Sequence, residues 1–289
     1  DMPPRHIHDV LMGLLYDGQP AGWDVAGTEE TVRSTTREKM LSYRSKHYVS
    51  GATTVVVAGN VDEKDVADRV GKAFAEMPSG KKHPKTAVTE AQKKPAIALK
   101  FKETDQVHLA LALRTFDLYH KDMPAMRVAS TILGGSMSSR LFQKMRDELG
   151  ICYYISASHE TFTDHGFLEI TAGVPAKRLT EALSAIMEEL RLLKGTPVKA
   201  DELARVKEYL IGTMYLGLES SDSLAEFYGY QEIARKPLQL PKEVAEKVRK
   251  VTSEDVARVA EKYFVESGLN LALIGPVKSK KELETLLHL

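Results

Sequence analysis

The sequence is short of several things, and each shortage narrows the field. Among 289 residues there is one cysteine, Cys152, so no internal disulfide can form and no zinc site can be built on thiolates. Neither sign of charge is in excess, since forty Lys and Arg balance forty Asp and Glu. That balance lacks the basic surplus a polyanionic partner such as nucleic acid would call for. Long hydrophobic runs are missing too. The most apolar stretches, Thr53 to Gly59 and Leu269 to Gly275, are strand-sized, well below the roughly 20 residues of a bilayer-spanning helix. Tryptophan occurs once, as Trp23 in the loop Pro20-Ala-Gly-Trp, where a core anchor is the expected role. What remains, 43% hydrophobic and 28% charged residues, is the make-up of a soluble globular protein with a sizeable core.

What is present is a long-range echo. Thr36, Glu38, Lys46, Gly59 and Val61 recur in one register as Thr252, Glu254, Lys262, Gly275 and Val277, 216 positions on. Tyr48 falls opposite Phe264, and Val55 and Val57 opposite Leu271 and Leu273. A single register over helix, strand and glycine reads as one module used twice. If the second copy closes at Leu289, the first closes near residue 73 and lacks about 143 residues of its front. The expectation is therefore a chain cut from a longer one.

Local patterns supply the elements. Thr36 is placed to cap a helix reaching Tyr48, and Ala52 to Gly59 reads as a buried β-branched strand followed by a helix from Val66 to Phe74. The same order follows Thr252 and closes with a helix from Glu282 to Leu287. Between the copies, residues 78–95 carry Ser79, Gly80, Pro84 and a scatter of lysines without apolar periodicity, which describes an exposed linker. Domain boundaries are therefore expected at 1–77, 78–95 and 96–289. Strands are expected at Ala96–Lys102, Gln106–Arg114, Cys152–Ser158 and Gly166–Ala172, with helices from Pro124 to Gly134, from Ser138 or Ser139 to Leu149, and from Leu179 to Gly195. The second of these would bury Leu141, Phe142, Met145 and Leu149 and end on Gly150. A longer helical stretch, Ala200 to Ala234, is interrupted near Gly212, Gly217 and Ser220-Ser221. The resulting fold class is an α/β sandwich (α+β), a mainly antiparallel sheet with helices on one face, built twice with the first copy truncated.

The densest segment is residues 133–154, Leu-Gly-Gly-Ser-Met-Ser-Ser-Arg-Leu-Phe-Gln-Lys-Met-Arg-Asp-Glu-Leu-Gly-Ile-Cys-Tyr-Tyr. Read plainly, it is helix, glycine turn, helix, glycine cap and strand. Gly134 and Gly135 with Ser136, Ser138 and Ser139 could also cradle an anion at a helix N-terminus. Their spacing, however, matches neither common phosphate-binding glycine pattern.

These residues resemble the second-half signature of the insulinase/pitrilysin zinc metallopeptidases, in the mitochondrial-processing-peptidase-like branch. The likeness extends to Gln19-Pro20-x-Gly22, Gly27-Thr28-x-Glu30, Ala58-Gly59-Asn60-Val61 and the stretch from Glu202-Leu203 to Leu218-Glu219. It implies two similar domains forming a clamshell, with an extended peptide held on a sheet edge by main-chain pairing. It also implies zinc in the first copy, on an inverted His-x-x-Glu-His helix with a distant glutamate as third ligand and the motif's own glutamate activating the metal-bound water. No histidine pair here has that spacing. His6 and His8 do not share a helix face, and His47, His83, His108, His120, His159, His165 and His288 are expected to be solvated or singly hydrogen-bonded. Zinc is accordingly expected in the parent protein, with no metal ligand among these residues.

By the same resemblance, Arg146 and Tyr153 match an Arg/Tyr pair that reaches the substrate carbonyl, and Gly134, Gly135, Ser136 and Ser138 fall where substrate is held. Both side chains donate hydrogen bonds, which suits an oxyanion formed when water attacks a peptide. Without the resemblance, Arg146 reads as a surface residue paired with Asp147 or Glu148, and Tyr153 as strand core. His159-Glu160 and Asp164-His165 flank an expected hairpin turn of exposed polar residues. The leading function is the C-terminal portion of a zinc metalloendopeptidase, inactive alone, acting on peptide or unfolded protein. Its expected partner is the missing N-terminal segment or a homologous subunit, in a dimer and in a soluble, cytoplasmic setting, with periplasm or mitochondrial matrix as alternatives. A non-catalytic, peptide-binding or structural subunit is the competing function.

Overall fold

The computed structural model describes residues 2–234 and 236–289. It opens with helices α1 (Pro3–Leu15), α2 (Glu29–Arg33), α3 (Arg37–His47) and α4 (Glu63–Ala73), then strands β1 (Ala96–Phe101) and β2 (Gln106–Arg114). Helices α5 (Met123–Gly134) and α6 (Arg140–Phe142) lead into a π-helical segment, Gln143–Glu148, and strands β3 (Tyr154–Thr161) and β4 (Gly166–Pro175). Helices α7 (Leu179–Gly195), α8 (Ala200–Leu216), α9 (Ser221–Ile233), α10 (Pro241–Arg249) and α11 (Ser253–Tyr263), strand β5 (Leu269–Gly275) and helix α12 (Lys281–Glu284) complete the order. Two compact units result. Asp1–Asp24, Ala87–Ile211 and Ala245–Leu289 form one, and Val25–Thr86 with Gly212–Val244 form the other. These units cut across the sequence-based boundaries, because α1 joins the unit built from the later part of the chain.

The first unit is centred on a five-stranded sheet in the order β1-β5-β2-β4-β3, parallel between β1 and β5 and antiparallel elsewhere. The run His108-Leu-Ala-Leu-Ala-Leu explains its two faces, since successive strand side chains point to opposite sides. Leu109, Leu111 and Leu113 are buried on the side of α5, α7 and α11, helices that pack on one another and, through α5 and α7, on β3 and β4. Ala110 and Ala112 face the other way, where their small side chains admit α1. Ile7, Leu11 and Leu15, spaced four apart along α1, join Tyr16 against Ala110, Ala112, Phe167, Ala272 and Ile274. Each such apolar side chain contributes roughly 1.5–3 kcal/mol on burial. Helices therefore pack on both sides of the sheet, with α1 against the alanine face.

The second unit contains α2, α3, α4, α9 and the segment after α3. Thr36 caps α3 as expected, its hydroxyl accepting from the Lys39 N–H at 3.3 Å. The strand expected over Ala52 to Gly59 is not formed. The segment has no ladder partner among the described residues, and Val55, Val56 and Val57 are 38–48% exposed. A β-branched run becomes a strand only when a neighbour satisfies its N–H and C=O groups. Its counterpart β5 has two such neighbours, β1 and β2. Met40 and Tyr43 on α3, and Tyr48 at its end, are likewise more than half exposed, whereas the corresponding Val256, Val259 and Phe264 are fully buried.

Elsewhere the echo holds in geometry. The caps of α3 and α11 each accept from the third residue of the helix, Thr252 from the Asp255 N–H at 3.2 Å. The residues closing these helices match closely, Tyr48 at φ −91°, ψ 74° and Phe264 at φ −85°, ψ 76°. Gly59 and Gly275 both have positive φ, 145° and 158°. Two helix expectations need correction. The helix expected from Ser138 or Ser139 to Leu149 is a short α-turn widening into the π segment, and the terminal helix covers only Lys281–Glu284.

Candidate functional site

The glycine turn is built by packing. Gly134 is buried where α5 meets β3, and a Cβ there would lie 2.4 Å from the Ala157 backbone nitrogen. One at Gly135 would lie 2.7 Å from Thr131 atoms. Beyond them the serines bond one another: the Ser136 and Ser138 hydroxyls are 3.1 Å apart, and the Ser139 hydroxyl donates to the Ser136 carbonyl at 2.5 Å. The alternative of an anion cradle loses its basis, because the helix beyond the turn is a three-residue α-turn whose serines already have partners.

From that turn the chain reaches Arg146 through a strongly anchored segment. Leu141 and Met145 are fully buried, while Phe142 and Leu149, expected to accompany them, are only partly so. Arg140 donates to both carboxylate oxygens of Glu202, at 2.8 and 2.7 Å. The Leu149 N–H donates to the Lys144 carbonyl five residues back, the Ile151 N–H to Met145, and Arg178 donates to the Leu149 carbonyl at 3.2 Å. Gly150 then turns the chain at φ 60°, a conformation disfavoured for residues bearing a Cβ.

This route brings the two proposed carbonyl donors together. Arg146 is exposed, donates through Nη1 to the Tyr153 carbonyl at 2.5 Å, and sets its guanidinium carbon 5.5 Å from the centre of the Phe142 ring. Tyr153 is 60% exposed, which overturns strand core as its alternative role. Its N–H is fixed by the Gly173 carbonyl at 2.9 Å. No residue among those described partners the Tyr153 hydroxyl or the other N–H groups of Arg146. These donors stand at the start of β3, which is an edge strand.

Neighbouring groups have structural duties. Tyr154, next in sequence, places its hydroxyl 3.0 Å from His108 Nδ1, and burial pushes that phenol up to about 12 and the imidazole down. Burial also raises the Cys152 thiol, although the Arg146 charge pulls the other way, so the thiol stays protonated near neutral pH.

The histidines are occupied elsewhere. His6 accepts from Lys100 at 2.6 Å and lies 3.2 Å from Asp9. His8 donates from Nδ1 to the buried Glu169 carboxylate at 3.2 Å, a pairing across 161 residues that no local pattern announces. His165, expected to be exposed in the hairpin, is 5% exposed and lies 2.7 Å from Asp164 and edge-on to Tyr16. Trp23 departs from expectation in the other direction, at 66% exposed rather than anchoring a core. Among the described residues no group of three His, Cys, Asp or Glu is arranged to hold a metal ion, so these residues do not fit a zinc site.

The model of the peptidase M16 inactive domain matches residues 34–210. A Bacillus subtilis protein named uncharacterized zinc protease YmxG is 31% identical over 96% of this chain and 66% of its own length. A Mycobacterium leprae protein, also named a zinc protease, is 29% identical over 100% of this chain and 65% of its own length. The chain thus spans about two thirds of these relatives. Among solved structures, a peptidase M16 inactive domain from Pseudomonas fluorescens superposes with a TM-score of 0.86 at 20% identity, covering 96% of this chain and 67% of that one. A chain of complex III from Candida albicans gives 0.87 at 16% identity, covering 100% and 71%. These two likenesses support the α/β fold.

Proposed function

The chain belongs to the peptidase M16 family, through that family's inactive domain, and from this premise we propose that it is the C-terminal portion of a zinc-dependent metalloendopeptidase. Its task is to hold an extended peptide and to polarise the carbonyl under attack. The observation that carries the reading is the pairing of Arg146 with Tyr153 at the head of an edge strand. An unpaired strand edge offers a peptide main-chain hydrogen bonds, and a guanidinium and a phenol beside it offer donors to one carbonyl oxygen. The Tyr153 phenolic O–H is a hydrogen-bond donor.

The hydrolytic metal belongs outside these residues, on ligands in the part of the parent protein that this chain does not span. Relatives bearing the name zinc protease support that assignment. The repeated cap and glycine geometry 216 residues apart supports two homologous domains closing as a clamshell. The first would end near residue 77, residues 78–95 would link them, and the second would begin at 96, with α1 crossing to the second domain's sheet. The absence of helix or strand over residues 82–94 supports this reading. Gly135, Ser136 and Ser138 would line the substrate's path beside β3, over the packing provided by Gly134. Assembly as a dimer, or with a homologous subunit, belongs to the same proposal.

The test measures zinc content and cleavage of an unfolded protein by the longer parent and by this chain side by side. The parent should hold about one zinc per chain and cut, and this chain should do neither. Cleavage by this chain alone would overturn the proposal. A parent without zinc or turnover would point to the non-catalytic, peptide-binding subunit instead.

A further inference from the structure

We infer that Phe142 is a positioning residue for Arg146, holding its guanidinium where the remaining N–H groups can meet a substrate carbonyl. The inference rests on the carbonyl-donor role of Arg146 given above.

Leu141 and Met145 take the fully buried positions of this segment, and Phe142 is left partly exposed. A large aromatic ring in that place has a second use. The guanidinium carbon of Arg146 lies 5.5 Å from the ring centre, inside the roughly 6 Å range over which a cation is attracted to an aromatic face. The two residues are four apart, about one helical turn, so the contact follows from the local backbone.

The backbone is unusual at this point. Residues 143–148 form a π-helical segment, with the Leu149 N–H reaching five residues back to Lys144. π segments are uncommon and concentrate at functional sites. Here the segment carries Arg146 and is tied at its end by Arg178 on the Leu149 carbonyl and by Gly150 at φ 60°.

An exposed arginine otherwise samples many rotamers, and ordering it at the moment of reaction opposes catalysis. Two anchors prevent this, the Phe142 ring and the Tyr153 carbonyl, which takes one N–H at 2.5 Å. Of five guanidinium donors, the others are left for substrate. Because the Tyr153 carbonyl is itself an anchor, the arrangement also ties the Arg146 guanidinium to the backbone that carries Tyr153.

The experiment uses the full-length parent and steady-state peptide cleavage. Phe142→Leu, which keeps an apolar side chain but removes the ring, should lower kcat about tenfold with KM changed less than about twofold. Phe142→Tyr, which restores an aromatic face, should return kcat to within about twofold. The decisive arm is the double variant: in an Arg146→Ala background, Phe142→Leu should have no further effect on kcat, since residues acting as a unit are non-additive. An equal loss in both backgrounds would mean Phe142 acts only through packing and would overturn the inference while leaving Arg146 in place. Full activity of Phe142→Leu would do the same. Turnover unchanged by Arg146→Ala would instead sink the donor reading, and this inference with it.

Discussion

At the scale of single residues, Tyr153 and His8 make opposite kinds of claim. Tyr153 is exposed and its hydroxyl has no hydrogen-bond partner among the described residues, so its value to folding is small and its value to chemistry is what can be lost. Tyr153→Phe in the full-length parent is expected to lower kcat on the order of 10²-fold, the usual cost of one oxyanion donor. Its unfolding free energy should stay within about 0.5 kcal/mol, as for surface substitutions. Steady-state kinetics beside a denaturation curve check both, and a variant that unfolds more readily but turns over normally would reverse the assignment. His8 acts on stability. The hydrogen bond to Glu169 raises its pKa above 6.5, against an opposing contribution from burial, with Glu169, Glu160 and Asp9 adding favourable charge. A folded-state pKa raised above the unfolded value gives stability that is full below about 6.5 and lost as pH climbs through the higher value. The wild-type chain should therefore lose part of its melting temperature as pH rises above about 6.5, and His8→Gln should flatten that loss. Identical pH profiles for the two proteins would rule out the pairing as a stabilising contact. The effect should be modest, because the imidazole is nearly half exposed and screened.

At the scale of elements, close approach matters more than propensity. The alternating leucines and alanines of β2 assign its two faces, and α1 seats itself against the alanine side. Leu11→Ala, deleting a fully buried side chain between helix and sheet, should cost about 2–5 kcal/mol in a urea titration of this chain. Gly134→Ala should cost about 1–3 kcal/mol by overpacking, since α5 or β3 must move to admit a methyl group facing the Ala157 backbone. Either change proving neutral would mean that the corresponding contact is looser than these distances imply. These two elements also show how far the sequence could be read. β2 and α7 were legible to their final residues because period-two and helical spacing are local signals. The exchange of α1 onto a sheet some 90 or more residues away was not, because an amphipathic stripe says that a face is buried without saying against what. The same limit explains the candidate site. Arg146 and Tyr153 were reachable by resemblance, but the π widening that joins them, and the turn of Phe142 toward Arg146, depend on backbone hydrogen bonds no residue type announces. The unpaired segment 52–59 shows the converse, a clear strand signal with no neighbour to complete it.

At the scale of the whole molecule, that unpaired segment is the most informative part of the chain. β5 and residues 53–59 are related by one register and end on glycines of similar conformation, yet only β5 is enclosed between two strands. The difference is environment, since both runs have the apolar character of a central strand. Under the proposed duplication, residues 53–59 would take what β5 has, a parallel strand on one side and an antiparallel strand on the other, with a helical layer over Met40, Tyr43 and Tyr48. In these relatives 66% and 65% of the length is matched, and the unmatched remainder, about a third of each, is enough chain to supply that layer. Amide hydrogen exchange reads this directly, because protection follows hydrogen bonding and burial. In this chain, amides of residues 53–59 should exchange within seconds to minutes while those of 269–275 remain protected far longer. In the full-length parent the two segments should approach equal protection, as copies of one central strand would. If residues 53–59 exchange as fast in the longer protein as they do here, no further chain completes a sheet around them. The twofold architecture proposed for the peptidase would then have to be given up, whatever became of its Arg146 and Tyr153.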